Sequence, residues 1–298
     1  MTWFYKKGEL SRDGWDVLVD GSIKGWQHTG LRVGTLGDNR KFHLPADGLE
    51  RIIFALEGQG LTVEYRLAGD SEFTSQFLRG RKSVFHGTTD MLYLPVDTEI
   101  KIQGDCRVCI GEAPAKNAKP VNFMAAEDVP VFVRGAGRES RQVHNFGTPT
   151  ALDAARLIVC EVITPAGNWS SYPPHKHDHY TPGVESHLEE IYYFETALER
   201  GVHAPATAEP FGYMQTSSTD AGNIETLAEV HSGDIALVPF GWHGPCVAGP
   251  GYDMYYLNVM AGPDPERTWL IADEPAHAWV RSTWDNQQVD PRLPYTAE

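Results

Sequence analysis

The sequence predicts an all-β chain built as two barrels in tandem, and three observations carry that prediction. Short β-branched and aromatic runs recur through the first half, over 15–19, 31–36, 51–56, 61–66, 83–85, 91–94 and 100–109, with turn residues between them. Among 298 residues, 29 glycines and 20 prolines supply those turns, and an aromatic content of 11% supplies large cores. Two stretches echo one another at nearly equal offsets, as a duplicated barrel would give. LERIIF at 49–54 lines up with LEEIYY at 188–193, and MLYLPV at 91–96 lines up with IALVPF at 235–240.

The first unit runs over 1–118 and the second over 119–298. They join at APAKNAKP, 113–120, which is polar and rich in breakers. Strands are expected next over 129–133, 142–146 and 156–164, the last strongly β-branched. The polar stretches 199–209 and 216–226 read as loops, and 252–260, with aromatics on alternating positions, reads as another strand. The tail from 264 opens on Asp264-Pro265-Glu266-Arg267, a possible helix start. Its tryptophans predict packing on a barrel or on a neighbouring subunit, because exposed they would form a sticky patch.

Between the strand at 156–164 and the apolar run at 191–194 lies the chemically richest stretch, PPHKHDHYTPGVESHLEE at 173–190. His175, His177, His179 and His187 fall there beside Glu185, Glu189 and Glu190. Side chains two apart on a strand share a face about 6 to 7 Å apart, so His175 and His177 can grip one ion. His179 repeats that spacing from His177, but His175 and His179 are about 13 Å apart on a strand, too far for one ion. Pro173-Pro174 and the turn Thr181-Pro182-Gly183 make the stretch strand, loop, strand. A further ligand is available in His243, which follows the strand-and-proline run DIALVP at 234–239. Imidazoles plus a carboxylate suit Zn²⁺, Mn²⁺, Fe²⁺ or Ni²⁺. Glu189 and Glu190 point to opposite faces, so one of them at most faces the metal, with Glu185 a third possibility.

The residues WFY at 3–5, SRQVHNF at 140–146, PPHKHD at 173–178, LEEIYYF at 188–194 and PFGWHGP at 239–245 carry a resemblance that spans nearly the whole chain. HxH, a later Glu opening an apolar strand, and a His after a strand-proline turn resemble the two-part metal signature of the cupin superfamily. More narrowly, the chain resembles the 5-deoxy-glucuronate isomerases of bacterial myo-inositol catabolism, which are similar to the 5-keto-4-deoxyuronate isomerases of pectin catabolism. The resemblance implies two jelly-roll barrels, a bicupin, with one divalent ion, Zn²⁺ or Mn²⁺, on His175, His177, Glu190 and His243. The gap from His177 to Glu190 is longer than in most cupins, which keeps Glu185 and Glu189 as rivals. Matched through the echo, Arg51 stands where the second unit has Glu190 and Glu99 where it has His243, so the first barrel is expected to hold no metal.

The activity implied is an aldose-to-ketose conversion of 5-deoxy-D-glucuronate to 5-dehydro-2-deoxy-D-gluconate through an enediol. Catalytic candidates are Glu190, His179 and Tyr192, with His187 and Glu189 as further proton carriers; a tyrosine on a barrel strand also fills interior. The sugar carboxylate calls for a cation, and Arg156, Lys176 and Arg141 are the candidates. Two other classes carry the same ligands: an Fe or Ni dioxygenase, and a sugar-binding cupin whose metal is structural.

A formal charge of −15 opposes binding to phosphate backbones or anionic lipid, so neither nucleic acid nor membrane is expected as a partner. No run of about 18 apolar residues occurs, and Lys6-Lys7-Gly8-Glu9 interrupts the N-terminus, which predicts a cytoplasmic protein. Cys106 and Cys109 match CxxC, but residues three apart on a strand face opposite ways and no second pair completes a zinc site. Barrel edges need covering, which predicts a homo-oligomer.

Overall fold

Alternation along the strands decides where each side chain goes. The computed structural model describes residues 3–38 and 40–297. In strand Leu49–Arg66, Ile53 and Ala55 enter a core inside the first barrel, while Ile52, Phe54 and Leu56 enter a different cluster. Strand Glu189–Leu198 does the same in the second barrel: Tyr192 and Phe194 point inside, and Ile191 and Tyr193 point the other way. The outward residues of both strands meet in one cluster, joined by Val159 and Val259, which is the core between the barrels. Both faces of these strands are covered, which is why they read as nearly unbroken apolar runs.

The first half forms an eight-stranded sheet whose two longest members, Leu49–Arg66 and Glu99–Pro114, pair along most of their length. The strands expected separately over 51–56 and 61–66 are one. Gly58 and Gly60, at φ of 116° and 132°, absorb the irregularity as register shifts in a continuous ladder instead of a turn.

The second half has two large sheets and a two-stranded ribbon, Asp178–Thr181 with Glu185–His187. In order across the seven-stranded one lie Phe4–Tyr5, Ile235–Val238, Glu189–Leu198, Tyr252–Ala261, Ile158–Thr164, Arg141–Gly147 and Val131–Arg134. The six-stranded sheet is built around Trp242–Ala248 and includes His175–Lys176. The neighbourhood of residue 118 is crossed in both directions: Phe4–Tyr5 pairs with Ile235–Val238, and Asn122–Met124 pairs with Met91–Leu94. The internal echo appears as matched register. Arg51 faces Leu94 and Phe54 faces Met91, as Glu190 faces Val238 and Tyr193 faces Ile235.

Three further local expectations are corrected. Residues 83–85 form a turn and not a strand. The polar run over 216–226 is the tip of a hairpin, Gly212–Ser217 with Thr226–Val230, so its ends are strand. Residues 264–267 start no helix; the tail stays extended, pairs Ala272–Asp273 with His175–Lys176, and coils into 3₁₀ turns only at Ala278–Asn286. Cys106 lies in the first barrel's core and Cys109 in the core between barrels, and both are free thiols.

Candidate metal centre and its cavity

Glu190 comes from the seven-stranded sheet, His175 and His243 from facing positions on the six-stranded sheet, and His177 from the bend after His175–Lys176. Glu190 shares the inward face with Tyr192, so its carboxylate enters the barrel. Glu189 points out, where its oxygens accept from the backbone N–H of Gln27 at 3.0 Å and His28 at 2.6 Å. Glu185 is occupied by Lys176 at 2.7 Å and the Asp178 N–H at 3.0 Å. Of the three carboxylates left open by the sequence, Glu190 is the one beside the imidazoles.

Donor atoms of His177, Glu190 and His243 all lie within 4.8 Å of one another, and all three residues are buried. The His175 ring flanks them, with its centroid 4.4 Å from that of His243 and 6.3 Å from that of His177. Each Nδ1 is committed to a backbone carbonyl: His175 to Pro173 at 3.3 Å, His177 to Leu188 at 3.1 Å, and His243 to Gly241 at 3.1 Å. A carbonyl can only accept, so Nδ1 carries the proton in each neutral ring and Nε2 presents its lone pair, the arrangement used by metal-ligating histidines.

Glu190 Oε2 lies 3.0 Å from His177 Nε2 and 3.1 Å from His243 Nε2, yet His243 Nε2 is buried without a hydrogen bond. Three inward lone pairs repel one another unless a cation joins them, and two imidazoles with one carboxylate are the donor set of a transition-metal site. The residues present therefore fit a divalent ion, and the His175 ring lies beside them. Burial would push the Glu190 carboxyl up, but His177 and His243 hold it well below the usual carboxylate range. His243 is set between Gly241 and Gly244, both at positive φ; a side chain at Gly244 would run into the Ser171 carbonyl.

A cavity of about 520 Å³ opens beside these ligands, and His175, Glu190, Tyr192 and Arg141 line it. Burial pushes the Tyr192 and Tyr256 hydroxyls far above their usual value, so both stay protonated; Tyr256 lies 3.1 Å and Tyr192 3.3 Å from Ser171 Oγ. Among the described residues Arg141 has no carboxylate partner, only the Glu139 carbonyl at 3.0 Å, and its guanidinium stands over the Trp284 ring. Burial, and the nearby Arg281 and Arg134, pull Arg141 down to about 10.

Three sequence-predicted residues lie elsewhere. The His179 side chain is exposed, because the strand turns outward past His177. Lys176 alternates away from His175 and His177 and pairs with Asp178 at 2.6 Å as well as Glu185. Arg156 lines a different cavity and bonds the Asp264 carbonyl. His187 and Glu189, the further candidate proton carriers, do not line the cavity beside Glu190 either. Reasoning from sequence missed Arg134, Arg281, Asn258, Tyr256, Trp269 and Trp284, all of which line it. Asn258 and Tyr256 carried a usable signal, since they alternate with Met254 and Met260 on the inward face of their strand. The tail residues carried none, because nothing local in their sequence says which wall they complete.

A model of the KduI/IolB family matches residues 3–280. A 5-deoxy-glucuronate isomerase of Geobacillus kaustophilus is 36% identical over 89% of this chain and 90% of that relative. The 5-deoxy-glucuronate isomerase of Listeria monocytogenes is 35% identical over 85% of this chain and 87% of that protein. Among solved structures, an IolB-like protein from Salmonella typhimurium superposes with a TM-score of 0.80 at 31% identity, covering 94% of this chain and 99% of the other. Oxalate decarboxylase of Lactobacillus farciminis superposes at 0.62 with 9% identity, covering 92% and 88%, a likeness of fold alone.

Proposed function

The chain belongs to the KduI/IolB family, and on that premise we propose that it is a divalent-metal aldose-ketose isomerase converting 5-deoxy-D-glucuronate to 5-dehydro-2-deoxy-D-gluconate. Arg141 carries the reading: a guanidinium without a carboxylate partner among the described residues, in the cavity that His175 and Glu190 line, suits a sugar that ends in a carboxylate. Asn258 Nδ2, Trp269 Nε1 and Trp284 Nε1, buried at that wall without partners, add donors where an oxygen-rich ligand is expected.

A Zn²⁺ or Mn²⁺ ion on His175, His177, Glu190 and His243 would supply positive charge for the carbonyl and hydroxyl oxygens at C1 and C2. Arg141 holds the far end of the chain, which fixes which carbons reach the ligands. The C2 proton leaves and returns at C1, the C1 carbonyl becomes a hydroxyl, and the C2 hydroxyl becomes the ketone, so atoms and electrons balance within one molecule. Tyr192 and Tyr256, both protonated, donate to the developing oxyanion instead of acting as bases. With His175 committed through Nδ1 to the Pro173 carbonyl and through Nε2 to the ion, the second carboxylate oxygen of Glu190 is the base offered among the described lining residues.

The test is turnover by protein loaded with Zn²⁺ or Mn²⁺. Isomerisation should proceed without oxygen uptake, and Arg141→Gln should raise KM at least about tenfold with metal content unchanged. Loaded, folded protein that does not turn over this sugar, or that consumes oxygen, overturns the assignment.

A further inference from the structure

A second cavity of about 710 Å³ lies where the connection between the halves meets the loop before strand Ile158–Thr164 and the start of the tail. Four cations line it, Lys116, Lys119, Arg156 and Arg267. Asp153 is the one carboxylate among the lining residues, and Lys119 takes it at 2.7 Å. Arg267 is fixed by carbonyls, bonding those of Leu157 at 2.9 Å, Leu152 at 2.6 Å and Gly147 at 2.7 Å, and Arg156 bonds the Asp264 carbonyl. Carbonyls orient the guanidinium, and burial pulls Arg267 down to about 10 against the opposing charges of Glu50 and Asp153. The Glu50 oxygens are taken up by the N–H groups of Ala155, Arg156 and Leu157. In a chain of net charge −15, such a gathering of positive charge around a cavity requires a reason.

We propose that this cavity binds a small phosphate monoester of sugar size, with Arg156, Arg267 and Lys116 meeting the phosphoryl oxygens. A phosphate dianion matches the surplus of cations, and the volume falls in the range of metabolite sites while far exceeding one free phosphate. The site is separate from the cavity beside Glu190 and independent of the isomerase reading. The two are joined along the tail, since Arg267 and Trp269 lie on one extended run and Trp269 lines the catalytic cavity.

Calorimetric titration of the full chain with glucose 6-phosphate tests it, with glucose and inorganic phosphate as comparators. Glucose 6-phosphate should bind, glucose should not, and Lys116→Gln with Arg156→Gln should weaken binding at least about tenfold, whereas Arg141→Gln should leave it intact. Should the Arg156 change prevent folding, Lys116→Gln with Lys119→Gln, on exposed and half-buried side chains, makes the same comparison. No binding, equal binding by the variants, or loss in Arg141→Gln overturns the site. Inorganic phosphate binding as tightly as the ester overturns the choice of ligand.

Discussion

Arg51 and Glu190 occupy the same place in the two barrels: each faces the last residue of the neighbouring strand, Leu94 for Arg51 and Val238 for Glu190, and each points into its own barrel. In the second barrel the position contributes a carboxylate to convergent imidazoles. In the first it holds a buried guanidinium, 2.7 Å from Glu112 and 2.6 Å from Asp47. The first barrel thus carries a side-chain cation where the second presents a carboxylate. Replacing Arg51 with Ala removes one of the two guanidinium partners of Glu112, which is 1% exposed and keeps Arg32 at 2.9 Å, and should cost about 2 to 3 kcal/mol in denaturant unfolding. The metal content of the folded fraction should stay at one ion per chain, because no ligand has changed. Two ions per chain by elemental analysis, or a shift below about 1 kcal/mol, would contradict this account.

Asp178 holds the metal loop against the turn that carries His243. Its Oδ2 accepts from the Gly241 N–H at 3.0 Å and from Thr219 Oγ1 at 2.5 Å, while the Gly241 carbonyl accepts from His243 Nδ1. Asp178 therefore acts through another residue, setting the ring angle of a ligand it never touches. Asp178→Asn should weaken metal affinity by about 10- to 100-fold, the usual effect of losing an outer partner, with the fold retained. Excess metal should restore turnover. A variant with unaltered metal affinity would show that the chain of bonds is only structural.

The convergence of His177, Glu190 and His243 was legible because its signals are local: HxH at strand spacing, a glutamate opening an apolar strand, a histidine after a proline turn. Choosing Glu190 over Glu189 needed only the parity of one strand, which the inward Tyr192 fixes. The barrel pair was legible in the repeat at 49–54 and 188–193, since both copies place the same residues at the same pairings. What could not be read was anything assembled from distant chain. Arg141 and Trp284 meet across a cavity whose wall is made by the tail, and Arg156 looked like a substrate ligand because its sequence neighbourhood does not show that it faces a different cavity. Glu161 lay unnoticed inside an apolar strand, although its partner Arg81 comes from the other half of the molecule.

That Arg81 and Glu161 pair crosses the core between barrels and makes stability depend on pH. Arg81 Nη1 donates to Glu161 Oε2 at 3.0 Å, its Nη2 donates to Oε1, His144 Nδ1 lies 2.9 Å from Oε2, and the Tyr255 hydroxyl donates to Oε1 at 2.7 Å. Burial pushes the Glu161 carboxyl up, but Arg81 and His144 more than offset this and hold it at about 2, against 4.5 for an unperturbed glutamate. A carboxyl whose value is depressed by folding contributes stability that is complete above its unfolded value and is lost as pH falls toward its folded one. The window is therefore pH 4.5 down to 2, and the contribution at stake is about 3 kcal/mol. Urea unfolding of chelator-treated protein should show wild type losing that amount across the window relative to Glu161→Gln. The variant itself should be weaker at neutral pH, because Arg81 is left buried without its anion. Parallel pH profiles for the two proteins would remove Glu161 as the acid-labile link between the barrels.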